Sequence, residues 1–184
     1  MQLVQPRPEH LRSYVQALER GWSPNNERPG AGLEELEFLR RNPDAFLALM
    51  DDREGKGPDA TLPDGSRVSR LPGFRRWMWD GEFAGDIGLR WQKGTPELPA
   101  YCLGHIGYAV VPWKQRRGYA TAALRAMLAE ARTLGLPYVE ITADPDNIAS
   151  RKVIEAAGGR FVEAFVKPPA FGSRPGLRFR VELG

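Results

Sequence analysis

The chain has 184 residues, 42% of them hydrophobic, with 26 Lys and Arg against 23 Asp and Glu. This length fits one domain with a substantial core, and the ordinary charge and apolar content exclude disordered and collagen-like proteins. Cys102 alone cannot form an intrachain disulfide, and Cys102, His10 and His105 cannot supply a His/Cys metal cage, so no metal is expected. Because no apolar run reaches the roughly 20 residues of a membrane helix and no signal-peptide layout is present, we expect a cytoplasmic protein without membrane contact.

Positive charge is concentrated in one part of the chain. Residues 111–132 hold five basic side chains and one acidic side chain. A local cluster of this kind suits a small anionic ligand better than a long nucleic-acid track. A nucleic-acid partner is therefore not expected.

The first half of the chain begins with a helical pattern. Apolar residues spaced by three and four predict a helix over 8–20, and Gly, Pro and Asn make 21–32 a loop. A second helix is predicted from Leu33 to about Asn42, and the short apolar run 45–50 is assigned to a strand. Residues 51–73 have no hydrophobic period, so we expect a loop or hairpin excursion that turns at the LPDG sequence.

The second half alternates strands and helices. Strands are predicted at 75–79, 83–91, 103–111, 137–143, 160–166 and 176–183, and helices at 118–134 and 147–157. Antiparallel strands followed by strand–helix–strand–helix–strand indicate an α/β fold: a mixed, mostly antiparallel twisted sheet flanked by helices, in one domain over 1–184.

The segment IGYAVVPWKQRRGYATAAL, residues 106–124, carries the main functional signal. An apolar strand leads into a basic loop, and Gly118 then opens a helix. The first turn of a helix has backbone N–H groups without internal partners, and its dipole favours an anion. Gly118 lets a phosphate approach closely, and Arg116 and Arg117 add positive charge. The segment therefore predicts a phosphate or pyrophosphate site, while the Walker and dinucleotide-binding patterns are absent.

Residues Gln115 to Ala120 match the pattern Q/R-x-x-G-x-G/A, which resembles the acetyl-CoA-binding motif of the GNAT superfamily of acyl-CoA N-acyltransferases. The stretch from Asn147 through Ser150 to Gly158-Gly159 is similar to the branch that contains the ribosomal-protein N-terminal acetyltransferases. The resemblance covers residues 75–166 well. It implies acetyl transfer from acetyl-CoA, with no metal, to an amine of a small molecule or peptide.

The resemblance also implies a set of cofactor contacts, in a cleft between splayed central strands. The backbone of Val110 and Val111 would pair with the pantetheine arm, and Asn147, Ser150 and Arg151 would contact the cofactor from the following helix. The pyrophosphate would lie on the loop and helix start formed by Gln115, Arg116, Arg117, Gly118, Tyr119, Ala120 and Thr121.

Two departures from the family pattern concern catalysis. Ile154 stands where many members carry a Tyr that protonates the leaving thiolate, so Ser150 is the nearest substitute acid. His105 stands at about the position of the family's frequent catalytic glutamate, and we expect it to project into the cleft as general base. A core histidine with a satisfied ring is the alternative for His105, and a small packing residue is the alternative for Ser150.

The leading hypothesis is direct attack of a neutral amine on the thioester within a ternary complex, without a covalent enzyme intermediate. The alternative is a non-catalytic CoA-binding sensor or pseudo-enzyme, which the missing Tyr favours. Self-association as a homodimer stays open. The sequence does not identify the acceptor.

Overall fold

A computed structural model of the chain describes residues 1–184. Its helices are α1 Leu11–Glu19, α2 Ala31–Arg41, α3 Pro43–Ala48, α4 Tyr119–Thr133 and α5 Ile148–Ala156. Its strands are β1 Gln2–Val4, β2 Asp51–Asp52, β3 Ala60–Thr61, β4 Arg67–Val68, β5 Gly73–Trp79, β6 Phe83–Arg90, β7 Ile106–Val110, β8 Tyr138–Ala143, β9 Arg160–Val166 and β10 Pro175–Glu182. No helix combines the length and hydropathy of a segment that crosses a bilayer.

The strands form two main sheets. The first has the order β1-β5-β6-β7, with β2 also paired to β5, and the second has the order β8-β10-β9. All of these pairings are antiparallel. β7 and β8 border each other without a ladder, and the His105 backbone N–H joins them by donating to the Glu140 carbonyl at 2.7 Å. The predicted fold class, antiparallel sheet flanked by helices with splayed central strands, is confirmed.

The first sheet separates two hydrophobic cores. On one face, apolar residues of α4 such as Leu124 and Met127 pack with Ile87 of β6 and Ile141 of β8. On the other face, α1, α2 and α3 pack around Trp77 in a cluster of aromatic side chains. Because a strand alternates its side chains between faces, β7 contributes to both cores.

One strand assignment was wrong, because residues 45–50 contain most of a helix rather than a strand. The Asn42 side chain accepts a hydrogen bond from the Ala45 N–H at 3.0 Å, and Pro43 occupies the first helical turn. These are strong helix-start signals, and they outweigh the short apolar run. Strand β1 was not predicted. The predicted excursion contains a hairpin of β3 and β4 that turns at residues 62–65, as the sequence indicated.

Candidate active site

The loop before α4 presents consecutive free backbone donors. The N–H groups of residues 116–121 make no hydrogen bond within the protein, and the first helical donor is the Ala122 N–H, which binds the Gly118 carbonyl at 3.0 Å. Arg116 and Gly118 both have positive φ angles, 61° and 75°, a backbone conformation that occurs in anion-binding turns. Free N–H groups beside the exposed guanidinium groups of Arg116 and Arg117 are features that an anion site requires, and binding of the pyrophosphate here stays a prediction.

A buried ion pair holds this loop from behind. The ammonium of Lys114 contacts the carboxylates of Asp80 and Glu82, and the Tyr119 hydroxyl donates to Asp80 at 2.7 Å. Burial alone would raise the pKa of Asp80, but the bonds from Lys114 and Tyr119 outweigh it and hold the pKa below its usual range. Tyr119 is thus turned away from the free donors and fixes the start of α4.

β7 leaves one backbone edge open toward β8. Antiparallel pairing alternates along a strand, and residue 105 and Val111 both bond to the β6 side, through Arg90 N–H and Ala84 carbonyl respectively. The backbone groups of Tyr108 and Val110 therefore face the gap, where their carbonyls accept from the side chains of Asn26 at 3.2 Å and Gln115 at 3.4 Å. The prediction for Val111 was wrong, because its N–H donates to Ala84 and its carbonyl accepts from Lys114 at 2.9 Å.

The start of α5 borders the same gap. The Asn147 side-chain oxygen accepts from the Ser150 N–H at 3.0 Å and caps the helix. The Ser150 hydroxyl lies 2.9 Å from the Tyr108 hydroxyl of β7, so these two side chains bridge the elements. Arg151 donates from Nη1 to the Pro145 carbonyl at 3.1 Å and is held against the preceding loop. Cofactor contacts by Asn147, Ser150 and Arg151 stay predictions.

Tyr108 of β7 also lies at this gap, beside the start of α5. Burial raises the pKa of Tyr108 to about 12, which the bond with Ser150 opposes, so its hydroxyl stays protonated at neutral pH. Ile154, by contrast, is fully buried in the core beneath α5 and offers no proton donor.

His105 does not project into the cleft as expected. Its side chain is 1% exposed, Nδ1 accepts from the Glu140 N–H at 2.9 Å, and Nε2 lies 3.0 Å from the Pro96 carbonyl. An acceptor at Nδ1 places the proton on Nε2, which donates to Pro96. Burial lowers the pKa of His105, against the opposing effects of Pro96 and Glu140. Its surroundings are those of the alternative reading, a core histidine with a satisfied ring.

Glu140, the neighbouring carboxylate, is also fully engaged. It accepts from Arg178 at 2.8 Å and from Arg180 at 2.7 Å. Burial would raise the pKa of Glu140, but the two guanidinium groups outweigh it and hold the pKa below its ordinary range. Glu140 is therefore a weak proton acceptor.

A cavity of about 430 Å³ opens on the α1–α3 side of the first sheet. It reaches the vertex of the splayed strands at Gly104, Gly107 and Tyr108. The hairpin and the loop between α1 and α2 contribute to its wall, and Asn26 of that loop donates to the Tyr108 carbonyl at 3.2 Å. The cavity therefore borders the closed end of the gap between β7 and β8.

Asp86 of β6 lines this cavity, and the sequence analysis missed it. The residue is 4% exposed, and one carboxylate oxygen accepts from Arg75 Nε at 2.9 Å. Arg75 also donates to Glu35 at 2.9 Å, and the Tyr14 hydroxyl donates to Glu35. Burial raises the pKa of Asp86, while Arg75 opposes the rise. A lone carboxylate inside an apolar strand is an informative sequence signal, because buried carboxylates are rare.

Comparison with solved structures gives similar folds at low identity. The acetyltransferase MccE of Microcin C7 self-immunity, in complex with acetyl-CoA and AMP, aligns with a TM-score of 0.65 and 11% identity over 98% of this chain and 91% of that one. A Vibrio cholerae protein provisionally described as a ribosomal-protein-serine acetyltransferase aligns with a TM-score of 0.60 and 14% identity, over 98% and 92%. The Vibrio cholerae spermidine N-acetyltransferase SpeG aligns with a TM-score of 0.60 and 12% identity, over 100% and 95%.

No curated protein sequence matches the chain significantly. The model of the acetyltransferase (GNAT) domain matches residues 3–160, which is most of the chain. That match extends beyond the motif at Gly118 to the helices and strands that form the cavity. The chain is an acetyltransferase that belongs to the GNAT family.

Proposed function

We propose that the chain transfers the acetyl group of acetyl-CoA to a primary amine held in the 430 Å³ cavity. One observation carries the proposal: the gap between β7 and β8 is bordered in turn by the free N–H groups of 116–121, the open edge of β7 and the cavity. The donors suit a pyrophosphate, and the edge at Val110 and Tyr108 suits an amide-bearing arm. MccE, a protein of similar fold, is solved in complex with acetyl-CoA, which supports this cosubstrate.

The chemistry we propose is direct acyl transfer. The neutral amine nitrogen forms a bond to the acetyl carbon, the bond from that carbon to sulfur breaks, and the thiolate leaves. The nitrogen releases its second proton to solvent as the amide forms, and the thiolate takes up a proton. Free N–H groups on the edge of β7 would polarise the thioester carbonyl. Holding both substrates in one cleft supplies positioning, and no acyl-enzyme is needed.

An alkyl ammonium must lose a proton before it attacks, and three titratable groups near the vertex compete for that role. His105 has both ring nitrogens occupied, and Glu140 is held by two arginines. Asp86 has a raised pKa, lines the cavity and leaves one carboxylate oxygen without a hydrogen bond. We assign the proton acceptor to Asp86, with Arg75 and Glu35 holding it in place.

The thiolate needs a proton, and Ser150 is our assignment for the donor. Its hydroxyl lies at the gap, 2.9 Å from the protonated hydroxyl of Tyr108. After Ser150 gives its proton to sulfur, Tyr108 can supply another. The pair thereby replaces the tyrosine that Ile154 does not provide.

The function is tested by mixing the protein with acetyl-CoA and a panel of amino acids, peptides, amino sugars and polyamines. We expect release of free thiol that depends on the amine and matches the acetylated product one to one. Tight binding of CoA with no release across the whole panel would instead establish the non-catalytic sensor.

Replacing Asp86 with Asn tests the proton acceptor. The wild-type rate is expected to rise with pH through the pKa of Asp86, which lies above the ordinary 3.8, because only the carboxylate takes the proton. The variant should lose that limb and about 10²- to 10⁴-fold in kcat. Glu35→Gln keeps the acceptor and should retain the limb, moved to lower pH, because the charge of Glu35 contributes to the raised pKa of Asp86. A wild-type pH profile in Asp86→Asn, with intact thermal stability, would contradict the assignment.

A further inference from the structure

The cavity contains a cation that the acyl transfer does not use. Three arginines line it, namely Arg70, Arg75 and Arg90. Arg75 forms ion pairs with Asp86 and Glu35. Arg70 donates from Nε to the Pro58 carbonyl, and the same nitrogen lies 4.0 Å from the Asp52 carboxylate. The guanidinium of Arg90, which is an exposed residue, makes no hydrogen bond or ion pair within the chain, although its backbone N–H donates to the His105 carbonyl. Its charge is therefore available to a ligand.

Two glycines without side chains leave room for the Arg90 guanidinium to lie against the sheet. Gly88 of β6 lies opposite Gly107 of β7. A Cβ at Gly107 would stand 3.2 Å from Arg90 Nη2, so the guanidinium lies across the strand where a side chain would otherwise project. Gly107 also belongs to the cavity wall at the vertex. The free guanidinium is thus beside the place where the acceptor amine must arrive.

The two ends of the cavity floor carry opposite charge. Asp86, Gly88 and Arg90 share one face of β6, and the Cα atoms of Asp86 and Arg90 are about 13 Å apart by strand geometry. At one end, two carboxylates surround the single guanidinium of Arg75. At the other end, Arg90 and Arg70 face the same space, and burial together with Arg75 and Arg90 lowers the pKa of Arg70, against the effect of Asp52.

We propose that the acceptor carries an anionic group, a carboxylate or a phosphate, which Arg90 binds with the help of Arg70 while the amine lies at Asp86. This inference rests on the proposed function and narrows its substrate to amines with a negative charge several ångströms away. A guanidinium presents a planar fork that matches the oxygens of either anion. A polyamine would place a cation against Arg90, which is unfavourable.

The test compares matched amines that differ in the anionic group. Alanyl-alanine is compared with its C-terminal amide, and glucosamine 6-phosphate with glucosamine, with spermidine as the polycation. We expect kcat/KM to be at least about 10-fold higher for the anionic member of one pair. The pair that shows this difference tells whether the group bound by Arg90 is a carboxylate or a phosphate. Arg90→Gln should abolish the preference by raising KM about 10- to 100-fold for the anionic amine, since charge-assisted hydrogen bonds contribute about 1.5–3 kcal/mol.

Arg12→Gln is the matched control, because Arg12 is exposed on α1 and does not line the cavity. CoA affinity should be unchanged in both variants. Equal kcat/KM within both pairs, or an undiminished preference in Arg90→Gln, would overturn the anion site while leaving acetyl transfer intact. Should no amine be acetylated, the proposed function fails on its own. Calorimetry with alanyl-alanine and glucosamine 6-phosphate then decides the anion site: binding by wild type but not by Arg90→Gln supports it, and equal or absent binding overturns it.

Discussion

His105 directly precedes β7, and Asp86 lies on β6. The surroundings of the two side chains differ, and so do the chemical roles they can take. The ring of His105 supplies the acceptor that the Glu140 N–H would otherwise lack where the strands part. Its other nitrogen is bound to the Pro96 carbonyl. Asp86 instead keeps a free carboxylate oxygen at a cavity wall. Burial lowers the pKa of His105 and raises the pKa of Asp86, so it favours the neutral form of each, but of the two only Asp86 lines the cavity.

Replacing His105 with Asn distinguishes the two roles of that residue. The Asn side-chain oxygen can accept from the Glu140 N–H as Nδ1 does, but it cannot take up a proton at neutral pH. We expect His105→Asn to keep most of the activity and the acidic limb of the pH profile. His105→Leu should lower the free energy of unfolding by about 1–3 kcal/mol, because a buried N–H is left unpaired. Loss of kcat by about 10²-fold in a stable, CoA-binding His105→Asn protein would restore the base role.

At the level of elements, the bridge between β7 and α5 brings the proposed donor to the gap. Ser150→Ala removes the hydroxyl, and we expect kcat to fall by up to about 10²-fold, at the low end for proton-transfer groups because a thiolate leaves readily. Tyr108→Phe retains the ring and should give a smaller loss. CoA affinity, measured by calorimetry, should change little in both. A wild-type kcat in Ser150→Ala would show that water protonates the thiolate.

The helices and strands of the second half could be predicted from hydrophobic periodicity, because the apolar residues of each element lie on the face that packs against the core. The strand at 160–166 and the helix at 119–133 lie where spacing predicted them, to within a residue. The run at 45–50 failed because six apolar residues fit a strand and a helix equally, and the decision rests with Asn42 and Pro43 just before it. β1 is only three residues long, which is too short for a hydrophobic period to be recognised in the sequence.

At the scale of the whole molecule, the free N–H groups of 116–121 could be predicted because they belong to one continuous segment. The acceptor side could not, because Asp86, Arg90 and Glu35 come from two elements that only the tertiary fold brings together. The Val111 expectation failed for a related reason. Which backbone groups of β7 stay free depends on its register with β6, and register is a property of the pair of strands.

Titration of CoA into the protein tests the central claim most directly, namely that the N–H groups of 116–121 hold the cosubstrate. Gly118→Glu adds a negative side chain at the donors, and we expect the Kd for CoA to rise about 100-fold, or about 2.7 kcal/mol. Gly135→Glu, at the other end of α4, is the matched control: both glycines have φ near 75°, and a Cβ at either would meet no atom within 4 Å. Wild-type affinity in Gly135→Glu with lost affinity in Gly118→Glu is the predicted result. A Gly118→Glu protein that binds CoA as tightly as wild type would contradict the account.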